Sequence, residues 1–120
     1  MAEHNEIGKK GEEIAVAYLK KKGYFIIEQN WRCGHLELDI IAKTNAMLAI
    51  IEVKTRTSNA LYDPAISVNR LKQKQLIRAA NRYIQQHNIS NEVRFDIISI
   101  LLEGKQPIIE HLEDAFYPTL

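Results

Sequence analysis

The spacing of apolar and polar residues along the chain predicts two helices and four or five strands. Apolar residues recur at helical spacing over 3–22 and again over 68–87. Runs typical of strands cover 24–29, 36–42, 47–56 and 92–102, and a short edge strand is expected at 107–112. The predicted order is therefore helix, three strands, helix and two strands, which indicates an α/β domain.

The stretch 36–56 is the centre of this pattern. Its two runs of Ile, Leu and Val are separated by residues 43–46, which predicts a β-hairpin with its turn there. Apolar residues occupy both faces of both runs, so the two strands are expected to be central in the sheet and covered on each side. Strict alternation places Glu37, Asp39 and Ile41 on one face of the first strand, opposite Leu38 and Ile40.

Two acidic residues lie inside this apolar hairpin. Asp39 is in the first strand and Glu52 in the second, and a buried carboxylate is costly unless it is paired or bound to a metal. A divalent cation such as Mg²⁺ prefers carboxylate oxygens and would compensate both. Lys54 shares a face with Glu52, and a structural ion pair between them is the alternative explanation.

The first helix carries a third candidate acid. Gly8 and Gly11 are poor helix formers, and their expected use is close approach of the helix to another backbone. Glu12 directly follows this small-residue face. It is interpreted either as an acid near the helix start that interacts with the dipole, or as a third acidic group directed at a metal.

The second helix is basic. No acidic residue occurs between Asp63 and Glu92, although the net charge of the chain is only +1. A solvated helix face explains a basic stripe by default, but surface helices usually mix signs, and such a segment can bind a polyanion. Lys72 falls on the apolar side, where it either reaches past its neighbours to water or turns back toward the carboxylates. The stripe itself recurs every fourth residue as Arg70, Lys74, Arg78 and Arg82.

Composition narrows the class of protein. The 120 residues, 46% hydrophobic and 26% charged, suggest one globular domain spanning 1–120. No apolar run is long enough to span a membrane, the N-terminus lacks a signal-peptide core, and the single Cys33 cannot form an internal disulfide. A cytoplasmic protein without membrane partners is therefore expected. No Gly-rich phosphate loop and no Ser-His-Asp pattern is present.

An Asp, a hydrophobic hairpin and then Glu-x-Lys resembles the motif of PD-(D/E)XK nucleases, here Asp39 and Glu52-Val53-Lys54. Over nearly its whole length the chain resembles the YraN-like family of uncharacterised bacterial proteins, which are distantly similar to archaeal Holliday-junction resolvases. Leu36 departs from that family, which usually has glycine there. The resemblance also rests on Gly8-x-x-Gly11-Glu12, Asn30-Trp31-Arg32, Glu37-x-Asp39-x-Ile41-Ala42, Arg56, Lys72 and Arg94-Phe95-Asp96.

The resemblance implies a restriction-endonuclease-like core, a central mixed sheet flanked by helices, and a Mg²⁺- or Mn²⁺-dependent DNA endonuclease. Asp39, Glu52 and the Val53 carbonyl would bind the metal, Glu12 would contact the metal or its water, and Lys54 would position the attacking water. Branched DNA and a homodimer are implied because a four-way junction has two symmetric scissile sites. The alternative is a non-catalytic nucleic-acid-binding module on the same fold. The residues assigned to the DNA backbone are Arg32, Arg56, Arg70, Lys72, Lys74 and Arg78.

Overall fold

The computed structural model describes residues 2–57 and 68–118, with side chains from residue 6 onward. Within these residues, two helices and five strands follow in the predicted order α-β-β-β-α-β-β, which confirms the α/β class. Their bounds are α1 Ala2–Lys21, β1 Phe25–Cys33, β2 Leu36–Thr44, β3 Met47–Arg56, α2 Arg70–Gln86, β4 Glu92–Leu101 and β5 Ile108–Phe116.

The five strands form one mixed sheet in the order β1-β2-β3-β4-β5. β3 and β4 are parallel, and every other neighbouring pair is antiparallel. The chain passes from β3 to β4 through α2, as parallel neighbours require a crossover. β2 and β3 are therefore internal strands, as their apolar character on both faces predicts.

The helices cover opposite faces of the sheet. Ala15 and Leu19 of α1 belong to the buried cluster on one face, and Leu76 and Ala80 of α2 belong to the cluster on the other. None of the helices in the described part of the chain has the length and apolar character needed to cross a membrane. The sheet contributes Ile40, Ala42, Ala49, Ile51, Ile98 and Ile100 to the α1 side, and Leu38, Ile41, Leu48, Ile50, Phe95 and Ile97 to the α2 side.

Several predicted boundaries are wrong. β1 extends beyond the predicted 24–29 to Cys33, so the turn into β2 consists of Gly34 and His35. The hairpin turn is confined to residues 45 and 46. β5 is longer than the predicted 107–112 and ends at Phe116, whose side chain is buried. Strand pairing with β4 sustains these extra residues, and pairing partners cannot be seen in a local pattern.

The predicted alternation along β2 is also wrong. Leu38 and Ile41 pack on the α2 face, whereas Ile40 packs on the α1 face. The regular register with β3 begins only at Ile40, and Asn30 on the β1 side has the left-handed φ of 52°. Asn tolerates that conformation better than most residues. The break in alternation therefore falls at Asp39, the residue that begins the candidate site.

Gly11 of α1 allows close contact with β3. A Cβ atom built there would overlap the side chain of Thr55, whereas one built at Gly8 would meet nothing within 4 Å. The expectation of close approach is confirmed for Gly11 and wrong for Gly8. The group that Gly11 approaches is the side chain of Thr55, whereas a backbone was expected. This contact fixes α1, and with it Glu12, against the end of β3.

We expect Gly11→Ala to destabilise the fold by about 1–3 kcal/mol, because the added methyl group must displace Thr55 in a packed core. Thermal unfolding followed by circular dichroism measures the effect. Gly8→Ala is the matched control, since it lies on the same helix and gains up to about 1 kcal/mol of helix propensity without a clash. Equal melting temperatures for the two variants would contradict the close contact.

Candidate functional site

Asp39 and Glu52 meet where β2 separates from β3. The Asp39 Oδ2 atom accepts a 2.9 Å hydrogen bond from the Val53 N–H, in place of a regular strand-to-strand bond. The two carboxyl groups lie close enough for each to shift the pKa of the other. Adjacent strands thus bring together two acids that lie 13 positions apart in the sequence.

Burial sets the protonation of this pair. It raises the pKa of Asp39, an effect opposed by the hydrogen bonds from Val53 and Glu52. The pKa of Glu52 rises to about 8, first because the group is buried and second because Asp39 is close. Two neighbouring carboxylates in such surroundings cannot both ionise readily, so the pair retains a proton at neutral pH.

Two lysines flank the same oxygen of Glu52. The Lys54 Nζ atom lies 3.7 Å and the Lys72 Nζ atom 3.8 Å from Glu52 Oε2. The Glu52 side chain is only 7% exposed, while those of Lys54 and Lys72 are 31% and 39% exposed. The ammonium groups therefore lie between the buried acid and solvent. For Lys72 the structure selects the second alternative, in which it turns back toward the carboxylates.

Lys72 reaches this position because of the helix start. Asn69 is the N-cap of α2, and its Oδ1 accepts a 2.9 Å hydrogen bond from the Lys72 N–H. This capping fixes the first turn of the helix beside the end of β3. An N-cap followed by a lysine three residues later gives no sequence signal for an active-site lysine.

Glu12 lies near the pair but makes a different contact. Its pKa is raised by burial and then by the charge of Asp39, and lowered by a hydrogen bond with the Asn30 side chain. Sequence reasoning does not identify Asn30 as a site residue. The sequence feature that could have indicated Asn30 is its position directly after the β-type run 24–29, since Asn is among the residues that adopt a positive φ where a strand is irregular.

The donor set fits a hard divalent cation. Two carboxyl oxygens face each other, and Mg²⁺ is typically held by one or two carboxylates with waters and substrate phosphate completing the shell. Within the described residues no group of three or more His, Cys, Asp or Glu side chains is close enough to hold a metal. The contact of Glu12 with a metal or its water stays a prediction. The contact from Val53 comes through its N–H, and its proposed carbonyl ligand stays a prediction.

The six cations predicted to bind DNA lie on three elements, β1, β3 and α2. Arg32 is exposed and its Nε lies 3.3 Å from Glu37 Oε2, on β1 and β2. Arg56 is half-buried at the end of β3. Lys72 lies at the carboxylates. The remaining three, Arg70, Lys74 and Arg78, are exposed on α2.

A second polar cluster lies outside the candidate site. Asp96 on β4 is fully buried and accepts two hydrogen bonds from Arg94, at 2.8 and 2.9 Å, and one from His111 at 2.7 Å. Although burial opposes ionisation, these bonds lower the pKa of Asp96. His111 also contacts the Tyr18 hydroxyl of α1 at 3.2 Å. The Arg94-Phe95-Asp96 segment therefore holds β4, β5 and α1 together.

Comparison with known proteins identifies a matching family model and several similar proteins. The model of a family described as "Uncharacterised protein family UPF0102" matches residues 11–100. A UPF0102 protein of Bacteroides thetaiotaomicron is 48% identical over 120 residues, which cover 100% of this chain and 99% of that protein. UPF0102 proteins of Flavobacterium psychrophilum and Christiangramia forsetii are each 47% identical over 117 residues, with 98% of both chains covered.

Proposed function

The chain belongs to the Uncharacterised protein family UPF0102, a name that carries no activity, and we propose from its carboxylate pair that it is a metal-dependent DNA endonuclease. The observation that supports this most is the position of Asp39, Glu52 and Lys54. Two carboxyl groups on adjacent strands are close enough to shift each other's pKa, and a lysine about one third exposed lies beside them on the same strand as Glu52. A structural ion pair requires one acid, whereas a second buried acid beside the first makes it costly to ionise both, a cost that a bound cation would remove.

Each side chain has a distinct part in phosphodiester hydrolysis. Asp39 and Glu52 would hold Mg²⁺ or Mn²⁺, and the bound cation would supply positive charge that lowers the pKa of water and offsets charge on the phosphate. Lys54 is close enough to the pair to orient a water and favour its deprotonated form. Lys72 presents a second ammonium group to the same place, where a phosphate oxygen would be attracted.

The basic helix favours DNA as the substrate. α2 contains no acidic residue, and its first turn carries Lys72 to the carboxylates. A polyanion bound by the exposed cations of α2 would reach the candidate site by crossing the start of this helix. Branched DNA, a homodimer and a cytoplasmic location stay predictions from the sequence.

A cleavage assay tests the proposal. Linear, flapped and four-way DNA are incubated with the protein in Mg²⁺ or Mn²⁺, and EDTA is the control. Cleavage that requires the metal and the Asp39 carboxylate is expected. Absence of cleavage from all three substrates, together with no metal-dependent rise in melting temperature, would refute the nuclease function.

The non-catalytic binding module remains the second candidate. The observation that favours it is the row of exposed cations on α2, Arg70, Lys74 and Arg78, which can hold phosphates without a metal. Salt-sensitive DNA binding without cleavage would identify this function.

We expect the exposed cations of α2 to bind phosphates without reading sequence. Counterion release predicts that the logarithm of affinity falls linearly with the logarithm of salt, by about 0.9 for each phosphate neutralised. Arg78→Ala is expected to weaken binding to every sequence alike and to reduce this slope by about 1. Fluorescence anisotropy across a salt series measures both quantities. Lys105→Ala, an exposed cation in the β4–β5 connection, is the matched control, and an equal effect there would contradict the assignment.

A further inference from the structure

A small groove separates α2 from the end of β5. Its volume is about 250 Å³, below the ~300–1,000 Å³ of typical small-molecule sites, so it accommodates about one planar ring system. Tyr117, directly after β5, forms one wall. From α2 the groove is lined by Arg70, Gln73, Lys74 and Ile77.

The walls combine an available aromatic ring with two cations. Tyr117 is 63% exposed. Its neighbour Phe116 also lines the groove but is stacked on Phe95 with ring centroids 5.1 Å apart, so it belongs to the core. Across the described residues, no carboxylate forms an ion pair with Arg70 or Lys74. Glu113 of β5 lies 3.6 Å from Arg94.

This chemistry matches one nucleotide outside a duplex. Every base has a π-face that can stack on an aromatic side chain, and the adjacent phosphates are attracted to cations. In the interior of a duplex both faces of a base are already stacked, and at a duplex end a base pair is wider than the one ring system that the groove accommodates, so Tyr117 can receive only an unpaired base. We propose that the groove between Tyr117 and the Arg70–Lys74 side of α2 binds an unpaired nucleotide of the DNA substrate.

The groove is placed to act together with the carboxylate pair. Lys72 contacts Glu52, and at about 100° per residue Arg70 and Lys74 project from nearly the opposite side of the same helical turn. The two sites therefore lie on opposite sides of α2, a helix about 10–12 Å wide with its side chains. A strand crossing the start of α2 would place a phosphate at the carboxylates and a nearby unpaired base in the groove.

This inference rests on the proposed function, because it takes DNA as the ligand. It adds that the DNA must contain an unpaired base. A flap, an overhang or a duplex with unpaired bases supplies the nucleotide, whereas a blunt duplex does not. The protein is therefore expected to prefer DNA at a junction between double and single strand over a fully paired duplex.

Binding measured without metal tests the groove independently of catalysis. In EDTA, fluorescence anisotropy with a flapped duplex, a short oligothymidylate and a blunt duplex gives the Kd of each. Tyr117→Ala is expected to weaken binding to the first two by about 5- to 150-fold, the effect of losing one stacked base, and to leave the blunt duplex unchanged. Tyr117→Phe keeps the ring and should restore the wild-type Kd.

Phe25→Ala is the matched control, because Phe25 is a comparably exposed ring on β1, at the opposite edge of the sheet. If Tyr117→Ala binds the flapped duplex with the wild-type Kd, the inference about the groove is overturned, while the proposed nuclease function is unaffected. Equal weakening for flap and blunt duplex overturns it as well, since stacking cannot then be the cause. Wild-type protein that binds no DNA overturns both this inference and the proposed function. A change of oligomeric state in Tyr117→Ala without a change in flap affinity would assign the groove to a second copy of the chain.

Discussion

Replacing Lys54 by alanine is expected to lower the rate of metal-dependent DNA cleavage by about 10²–10⁴-fold while folding and DNA affinity stay close to wild type. The ammonium group lies 3.7 Å from Glu52 and its side chain is about one third exposed, so it can act on a water at the carboxylate pair. Orientation of that water matters in the transition state more than in the complex with DNA. The rate under single-turnover conditions and the Kd in EDTA separate the two effects.

Lys43→Ala controls for the loss of one exposed lysine, since Lys43 lies on β2 toward the other end of the hairpin. Lys54→Arg keeps the charge but changes its geometry, and it should recover little of the rate if orientation is the main contribution. Full activity in Lys54→Ala would remove the residue from the mechanism. A parallel loss of DNA affinity would instead assign Lys54 to binding.

The metal-free protein is expected to become less stable as the pH rises from about 5 to 8. The pKa of Glu52 is about 8 in the folded protein and 4.5 as the reference value, so the folded state binds more protons over this range. This contribution to the free energy of unfolding is fully present below the pKa of Glu52 in the unfolded chain, and it is lost as the pH rises through the pKa in the folded protein. At about 1.36 kcal/mol for each pH unit, the loss is at most about 5 kcal/mol.

Asp39→Asn is expected to flatten this dependence. It removes the negative charge that is the second cause of the raised pKa of Glu52, so Glu52 can ionise more easily in the folded state. The melting temperature of the metal-free variant should therefore exceed that of wild type at pH 8, and adding Mg²⁺ or Mn²⁺ should raise it less. Thermal unfolding between pH 5 and 8.5, in EDTA and in metal, tests both statements.

Glu110→Gln is the matched control, because it removes an exposed acid of β5 without touching the pair. Identical pH dependence in wild type and Asp39→Asn would show that the pair does not retain a proton. If the metal raises the melting temperature of both proteins equally, Asp39 is not a ligand.

The retained proton also predicts how metal binding depends on pH. A cation at Asp39 and Glu52 must displace the proton that the pair holds, so its affinity should increase as the pH approaches 8. The same cation removes the repulsion that destabilises the metal-free protein at that pH. Metal is therefore expected to stabilise the fold more at pH 8 than at pH 6.

The sequence alone was sufficient for the order of elements and for the approximate place of the carboxylate pair. Helical and strand periodicities are local, and the apolar residues on both faces of 36–42 and 47–56 correctly predicted internal strands. A hairpin necessarily brings its strands together, so the positions of Asp39 and Glu52 in the two apolar runs already predict that they lie near each other.

Several details of the site depend on the tertiary structure, because a periodic pattern of apolar residues does not specify them. The break in alternation at Asp39 depends on the separation of β2 from β3 and on the conformation of Asn30, because pairing across strands overrides local preference. The turn of Lys72 toward Glu52 and the different surroundings of Gly8 and Gly11 also depend on where the helices dock. Tyr117 and Arg70 are 47 positions apart, and only the packing of β5 beside α2 places both on one groove. Contacts of this kind join residues remote in sequence, and no local pattern of apolar residues contains them.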